Sequence, residues 1–370
     1  MSKMRKIELK GKKLQYSSKI EYTIDEEGKY KLFIEDTTAN MQTDVSDFEG
    51  IIIWIWSVDR SITVTLKYNS YDGKNDKNKA NHNIKWDKTD LKQLCYISDK
   101  GIEYPELARL HHMRFLYRVM RFRERYPNGF ELDPSNKDEI DKFEKLYKEA
   151  LDKGELWITK PTTEAGIRGD GKGLGNNIED TEVAENHLEK WFVIKSKIKK
   201  LPEKIVKVFG NNRLYDQLPC SIFIGKKETS ARIFNRGYFD LWGINDKGEL
   251  CIFELKKAGN NKLGIISELF YYAMIMRDMK RAADGKYKRI TTNYRGFKSF
   301  VDNENSNVVN AYFLVPELYP SLEEVKDTFI QVLNENDDGV RFELITFSQK
   351  EIEDDIDFKK LSKELKQIEW

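Results

Sequence analysis

Asp240, Glu254 and Lys256 are the residues of this 370-residue chain whose types and spacing best suit chemistry. Asp240 lies in the apolar run YFDLWGI, and Glu254 and Lys256 lie in a second run, LCIFELK. Between the runs, Asn245-Asp246-Lys247-Gly248 reads as a tight turn. Glycine enters the left-handed conformation freely, and Asn and Asp favour turns. Short apolar runs on either side of such a turn predict two buried, paired strands. Side chains alternate along a strand, so Glu254 and Lys256 face the same way, and pairing in register sets Asp240 beside Glu254. Two carboxylates and one ammonium at the end of a buried sheet are costly to leave without partners. A divalent cation held by the carboxylate oxygens accounts for them; the alternative is an ordinary amphipathic hairpin with a cross-strand salt bridge.

The elements that must position these groups follow the same logic. Upstream, residues 181–197 have helical spacing, with Ala184, Leu188, Trp191 and Phe192 on one side. Glu185 and Glu189, four apart, share a helix face. At about 100° per residue, Glu185 borders the Leu188–Phe192 edge and Glu189 points further into solvent. Downstream, Ser267-Glu268-Leu269-Phe270-Tyr271-Tyr272 opens a helical stretch that runs to about Met279. A strand-like VVNAYFLV, a helix-like SLEEVKDTFIQVL and a strand-like VRFELITF then supply a βαβ order.

An Asp followed across a hairpin by Glu-x-Lys resembles the PD-(D/E)XK nuclease superfamily, and within it the RecB-like and NucS-like branches. Gly237-Tyr238-Phe239-Asp240-Leu241 is similar to their G-x-x-D-L-L strand, and Phe253-Glu254-Leu255-Lys256 to their I-E-L-K strand. Phe239 stands where the family name has proline. The resemblance covers roughly residues 180–350 and implies an α/β restriction-endonuclease-like core, a central mixed sheet flanked by helices. It implies a Mg²⁺ ion, with Mn²⁺ as a substitute, held by Asp240, Glu254 and the main-chain carbonyl of Leu255. Glu185-Asn186-His187-Leu188 resembles the family's first-helix E-x-x-L, which makes Glu185 the first choice for a third acidic group and Glu189 the second. Lys256 would orient the attacking water. Glu268 and Tyr272 have the spacing of the RecB-like Q-x-x-x-Y signature and so become candidates for nucleic-acid contact, although a carboxylate cannot donate as the amide does and Tyr272 also reads as core. The implied activity is Mg²⁺-dependent endonucleolytic hydrolysis of phosphodiester bonds, with DNA as the expected substrate and restriction or anti-phage defence as the setting. Two other readings stay open: a nuclease-like core that has lost activity and serves as a nucleic-acid-binding or assembly protein, and a ligand-activated RNase using the same centre.

Composition narrows the field. A net charge of +1 announces no global attraction for nucleic acid, so a local patch must supply phosphate contacts. Cys95, Cys220 and Cys251 form no CxxC pair, which argues against a zinc ribbon or disulfide framework and for a reducing compartment. Cys251 alternates onto the face opposite Glu254 and reads as buried filler. No apolar run approaches membrane-spanning length, no signal-peptide pattern opens the chain, and a cytoplasmic protein is expected. The four histidines, His82, His111, His112 and His187, suit no metal or triad pattern; His187 reads as a helix-surface residue.

Length suggests two domains. Residues 1–160 read as a β-rich and helical module for recognition, dimerisation or regulation. KIEYTI and KYKLFIE flank a hairpin turn, IIIWIW and SITVTLKY read as two further strands, and helices are expected near 104–126 and 137–152. Along residues 107–126, His111, Arg114, Arg118, Arg121 and Arg125 recur at spacings of three and four. They form one basic stripe that could bind phosphates, or Arg stems covering apolar surface. Residues 161–179 are a glycine-rich linker. Its Gly166-x4-Gly171-Lys172 nearly spells a P-loop, but Gly173 lacks the hydroxyl that holds magnesium, so no nucleoside triphosphate is expected. The nuclease-like domain spans 180–350, and an acidic, helical tail spans 351–370.

Overall fold

Asn245 and Gly248 close a tight turn as their types require: the Gly248 N–H donates to the Asn245 carbonyl at 2.9 Å, and Gly248 takes φ +75°. The computed structural model of the protein describes residues 4–17, 19–38, 47–71, 104–158, 184–225, 232–234, 237–259, 262–281, 296–304 and 307–356. The expected glycine-rich linker at 161–179, with its near-P-loop, lies outside them, as do Cys95 and residues 357–370 of the tail.

The chain begins with a hairpin of β1 (Met4–Leu9) and β2 (Lys12–Ser17). It continues through β3 (Ile20–Ile24), β4 (Tyr30–Ile34), α1 (Phe48–Val58), β5 (Val64–Tyr68), α2 (Tyr104–Arg125), β6 (Phe130–Leu132), α3 (Pro134–Asp152) and β7 (Leu156–Ile158). Four of these strands form a sheet in the order β3-β4-β5-β6. Then come α4 (Glu185–Lys197), α5 (Glu203–Phe209), β8 (Tyr215–Cys220), β9 (Ile222–Ile224), β10 (Gly237–Ile244), β11 (Leu250–Leu255) and α6 (Gly264–Arg281). The rest is α7 (Phe297–Asp302), β12 (Val309–Val315), α8 (Pro320–Glu323), α9 (Lys326–Leu333), β13 (Val340–Thr346) and α10 (Gln349–Asp355).

A five-stranded mixed sheet carries the candidate residues, in the order β13-β12-β11-β10-β8. β10 pairs antiparallel with β11 and β8, whereas β11, β12 and β13 run parallel. Every residue of β11 and β12 is buried, the mark of strands covered on both faces. Pro219, which has no N–H to give a ladder, falls on the edge strand β8. On one face α6 packs against β11 and β12; on the other, α4 meets β8 and β10, and α5 meets β13. The chain is thus α/β, with helices flanking a mixed sheet.

Two clusters of apolar side chains lie on these faces. The one behind α4 and α5 includes Leu188, Phe192, Leu241, Phe253 and Leu314. The one under α6 is larger and draws from both sides of the linker: Ile7, Leu32, Trp54, Phe122, Phe270, Phe313 and Phe342 all belong to it. The first 160 residues therefore bury apolar surface directly against the α6 face.

Two expectations for that region are corrected. Ile51–Trp56, expected as a strand, is the middle of helix α1, packed on α6 and α9. A short run that is apolar on every side has no periodicity to separate strand from buried helix, and α1 is apolar all round because it is covered all round. The arginine stripe does lie along one helix, but it points inward. Arg114, Arg118, Arg121 and Arg125 are all buried, as is His111. Arg118 Nε donates to Glu49 Oε1 at 2.8 Å, Arg121 Nη2 to Asp278 Oδ2 at 2.7 Å, and Arg125 pairs with Asp338. Arg114 donates to His111 Nδ1 at 2.8 Å and lies over the Tyr271 ring. These side chains hold α2 against α1, α6 and the loop before β13, and are not set out for phosphates.

The Glu49–Arg118 pair yields a direct test. Glu49→Ala leaves a buried guanidinium without its main counter-charge, which costs about 3–5 kcal/mol, at the low end here because Asp47 remains 3.9 Å from Arg118. Urea unfolding should show a loss of about 3 kcal/mol that changes little with added salt, since buried pairs are weakly screened. A loss under about 1 kcal/mol would mean the pair is solvated.

Candidate active site

The register of the hairpin, Leu241 opposite Phe253 and Ile244 opposite Leu250, carries Asp240 to the level of Glu254. The Leu255 N–H donates to Asp240 Oδ2 at 2.8 Å and fixes that carboxylate at the strand end. Lys256 follows β11, its N–H still bonded to the Leu314 carbonyl at 3.1 Å, and its side chain turns back along the strand. Lys256 Nζ donates to Glu254 Oε1 at 2.7 Å and to the Leu255 carbonyl at 3.0 Å. Glu185 from α4 stands 3.5 Å from the same nitrogen, Glu268 from α6 3.6 Å, and Asp240 3.7 Å. One ammonium thus meets four carboxylates drawn from two strands and two helices.

Glu189 lies one turn further along α4 and is 4% exposed, where the helix geometry alone pointed it into solvent. Gln217 Nε2 donates to its Oε2 at 3.3 Å. Periodicity sets a residue's angle on its own helix but not the direction of the sheet edge, and α4 touches both β8 and β10. His187, expected at the surface, is also buried; its Nδ1 accepts from the Ala184 N–H at 3.0 Å and closes the start of α4.

Glu268 and Tyr272 do not face outward as nucleic-acid contacts. Glu268 is 3% exposed and belongs to the acid cluster. The Tyr272 ring packs edge-on against Phe239, centroids 5.6 Å apart. It fills the space beside Gly237, where a Cβ would come within 2.6 Å of the Tyr272 hydroxyl. Two further groups had no signal in the sequence: Gln217, and a buried ion pair of Lys190 with Asp216 beside the cluster. Their partners are distant in the chain, and no local pattern marks them.

The electrostatics show too much negative charge for the cations at hand. Burial, and then the charges of Glu185 and Glu268, push Asp240 up to about 6, against the opposing pull of Lys256. Burial and the Asp240 charge raise Glu189 to about 8, and the same two causes hold Glu254 well above the usual carboxylate range. Burial works to lower Lys256, but Glu254, Asp240, Glu268 and Glu185 outweigh it and keep the ammonium charged. Glu254 Oε2 is buried with no hydrogen-bond partner.

These oxygens suit a hard divalent cation in kind and charge. Among the described residues, no three His, Cys, Asp or Glu side chains already stand as a ready ligand set. The Lys256 ammonium occupies the point on which the carboxylates converge. Among the described residues, no helix is long and apolar enough to cross a membrane. No family model, curated protein or solved structure matches the chain.

The Glu189 shift gives a stability prediction with a definite sign. Its folded value near 8 lies above the 4.5 of an ordinary glutamate, so between those limits the native state holds a proton that the unfolded chain has lost. Stability from this group is complete at low pH and falls as pH rises through 8. Glu189→Gln removes that slope. In metal-free buffer the variant should match the wild type within error near pH 4.5 and exceed it at pH 8 by at least about 1 kcal/mol, a shift near one pKa unit. A difference that is flat with pH would place Glu189 in solvent.

Proposed function

We propose that the protein is a Mg²⁺-dependent nuclease that hydrolyses phosphodiester bonds, with DNA as its substrate. The observation that carries this reading is the convergence of Asp240, Glu254, Glu185 and Glu268 on Lys256, with one buried oxygen of Glu254 left unpartnered. A purely structural salt bridge needs one carboxylate per ammonium. Four around one is an arrangement that folding alone disfavours, and function is the usual reason for retaining it.

Asp240 and Glu254 would hold the cation, with the Leu255 carbonyl, which already points at Lys256, and with Glu185 and Glu189 as further oxygen donors. When bound, the cation supplies charge stabilisation at the phosphate and lowers the pKa of a water. The remaining roles belong to the chain. Asp240 is locked by the Leu255 N–H and keeps its orientation when its partners change. Lys256, freed from part of its carboxylate shell, can donate to a phosphate oxygen or to the incoming water, stabilising charge where it develops. Glu268, buried behind Lys256, keeps that ammonium charged. The restriction-endonuclease-like assignment of the core, and a role in restriction or anti-phage defence, belong to this same reading and rest on the motif resemblance.

The test compares wild type with Asp240→Asn and Lys256→Met on single- and double-stranded DNA and RNA, with Mg²⁺ or Mn²⁺. Wild type should cleave DNA, and each variant should lose at least about 100-fold in rate, the scale of removing one transition-state donor. Mg²⁺ should also raise the melting temperature of wild type, as any ligand selective for the folded state does, and leave Asp240→Asn unmoved. Circular dichroism checks that each variant folds. Cleavage by Lys256→Met at the wild-type rate removes Lys256 from the chemistry. Cleavage of RNA alone would redirect the substrate assignment and leave the centre intact.

A further inference from the structure

In a regular strand, residues two apart face the same side of the sheet. β8 and β10 break that rule at the same level. On β10, Phe239 joins the cluster under α6 while Leu241 joins the cluster behind α4. On β8, Leu218 and Cys220 face α6, whereas Asp216 reaches Lys190 on α4, the side to which the preceding Leu214 also packs. The ladder pairs Phe239 with Leu218 and Leu241 with Asp216, so the residue opposite Asp240 is Gln217. Gln217 has φ +41°, the left-handed region that a non-glycine residue adopts at a cost. Among the described residues, two other non-glycine positions share that sign, Lys10 and Lys199, and both lie outside strands.

The strand pair rolls over about the Gln217–Asp240 level. Above the roll one face is presented to α6; below it, the other is presented to α4. At the roll itself Asp240 shares the Lys256 ammonium with Glu268 of α6 and Glu185 of α4, and it feels the charge of Glu189. The Gln217 carboxamide, carried by the left-handed residue, donates to Glu189 at 3.3 Å. Glu189 is buried, and a buried carboxylate needs such a donor to keep one orientation.

We propose that Gln217 is a positioning residue of this centre: its left-handed backbone rolls β8 and β10 so that acids from both faces of the sheet meet at Asp240, and its carboxamide holds Glu189 there as an additional oxygen donor. The second half of the proposal rests on the nuclease reading; the first does not. A carboxamide on a strained strand residue is otherwise unexplained, since glycine would make the same turn without strain.

Gln217→Gly is therefore the informative change: it accepts the left-handed backbone and removes the amide, and comparison across a double-variant cycle cancels the chain freedom that glycine adds. Wild type, Gln217→Gly, Glu189→Ala and the double variant are unfolded in urea with EDTA. If the amide holds Glu189, the midpoints are non-additive, and the effect of Gln217→Gly shrinks or disappears once residue 189 is alanine. Additive midpoints overturn the contact. Titration with Mg²⁺ alone, by calorimetry, should give Gln217→Gly about tenfold weaker binding than wild type, while circular dichroism shows an unchanged fold. Equal affinities overturn the positioning role and leave the nuclease reading standing. A wild-type protein that binds no Mg²⁺ sinks the nuclease reading and the donor role together, and the unfolding cycle then decides by itself whether Gln217 holds Glu189.

Discussion

The Lys256 ammonium is what allows the acid cluster to exist in a folded chain. Carboxylates packed at the end of a buried sheet repel one another and lack water to dissipate the charge. Lys256 answers that locally: it bonds to Glu254 and the Leu255 carbonyl and stands within 4 Å of Asp240, Glu185 and Glu268. It does not answer it fully, as the raised Asp240, Glu189 and Glu254 values show. The folded protein therefore stores an electrostatic imbalance at one point, and the cation-binding reading is the chemical interpretation of that imbalance.

A second polar network connects this point to the first part of the chain. Glu49 on α1 accepts from Arg118 on α2 and from the Ser267 hydroxyl on α6 at 2.7 Å. Ser267 immediately precedes Glu268, so the residue that seats α1 against α6 is one position away from an acid of the cluster. Further along α6, Tyr117 and Arg121 of α2 and Tyr147 of α3 converge on Asp278. The arginines of α2 thus set the azimuth of α6, and α6 sets where Glu268 enters the site. Inward-facing arginines with dedicated carboxylates hold one helix rotation more tightly than apolar packing alone, because a small rotation would leave a buried charge unpaired.

The parts of this arrangement that could be read from sequence are those decided locally. The hairpin follows from Asn245, Gly248 and the apolar runs beside them, and the shared direction of Glu254 and Lys256 follows from strand alternation. The order of β11, α6, β12 and β13 followed from periodicity and spacing. What escaped depends on contacts remote in sequence. The α2 arginines do occupy one helical stripe, but whether a stripe faces solvent or protein depends on Glu49, Asp278 and Asp338, which lie 69, 157 and 213 residues from their partners. Glu268 looked like a damaged nucleic-acid contact because its spacing matched a motif; its position against Lys256 depends on the packing of α6. The helix at Ile51–Trp56 was hidden by its own burial, since a segment covered on every side has no polar face to mark its period.

The position of Asp240 shows how much of the surrounding design serves access from two directions. Gly237 and Gly243 sit three residues to either side of it on β10. A Cβ at Gly237 would strike the Tyr272 hydroxyl at 2.6 Å, and one at Gly243 would strike the Phe209 ring at 2.5 Å. Tyr272 comes from α6 and Phe209 from α5, on opposite faces of the sheet. The strand is thus pared to backbone once for each face, and the helices on both sides close in around the residue between. Had β8 and β10 run with regular alternation, Asp240 would have faced one layer and been separated by the sheet from the acid of the other. The roll at Gln217 removes that separation, and the two glycines allow both layers to follow it inward.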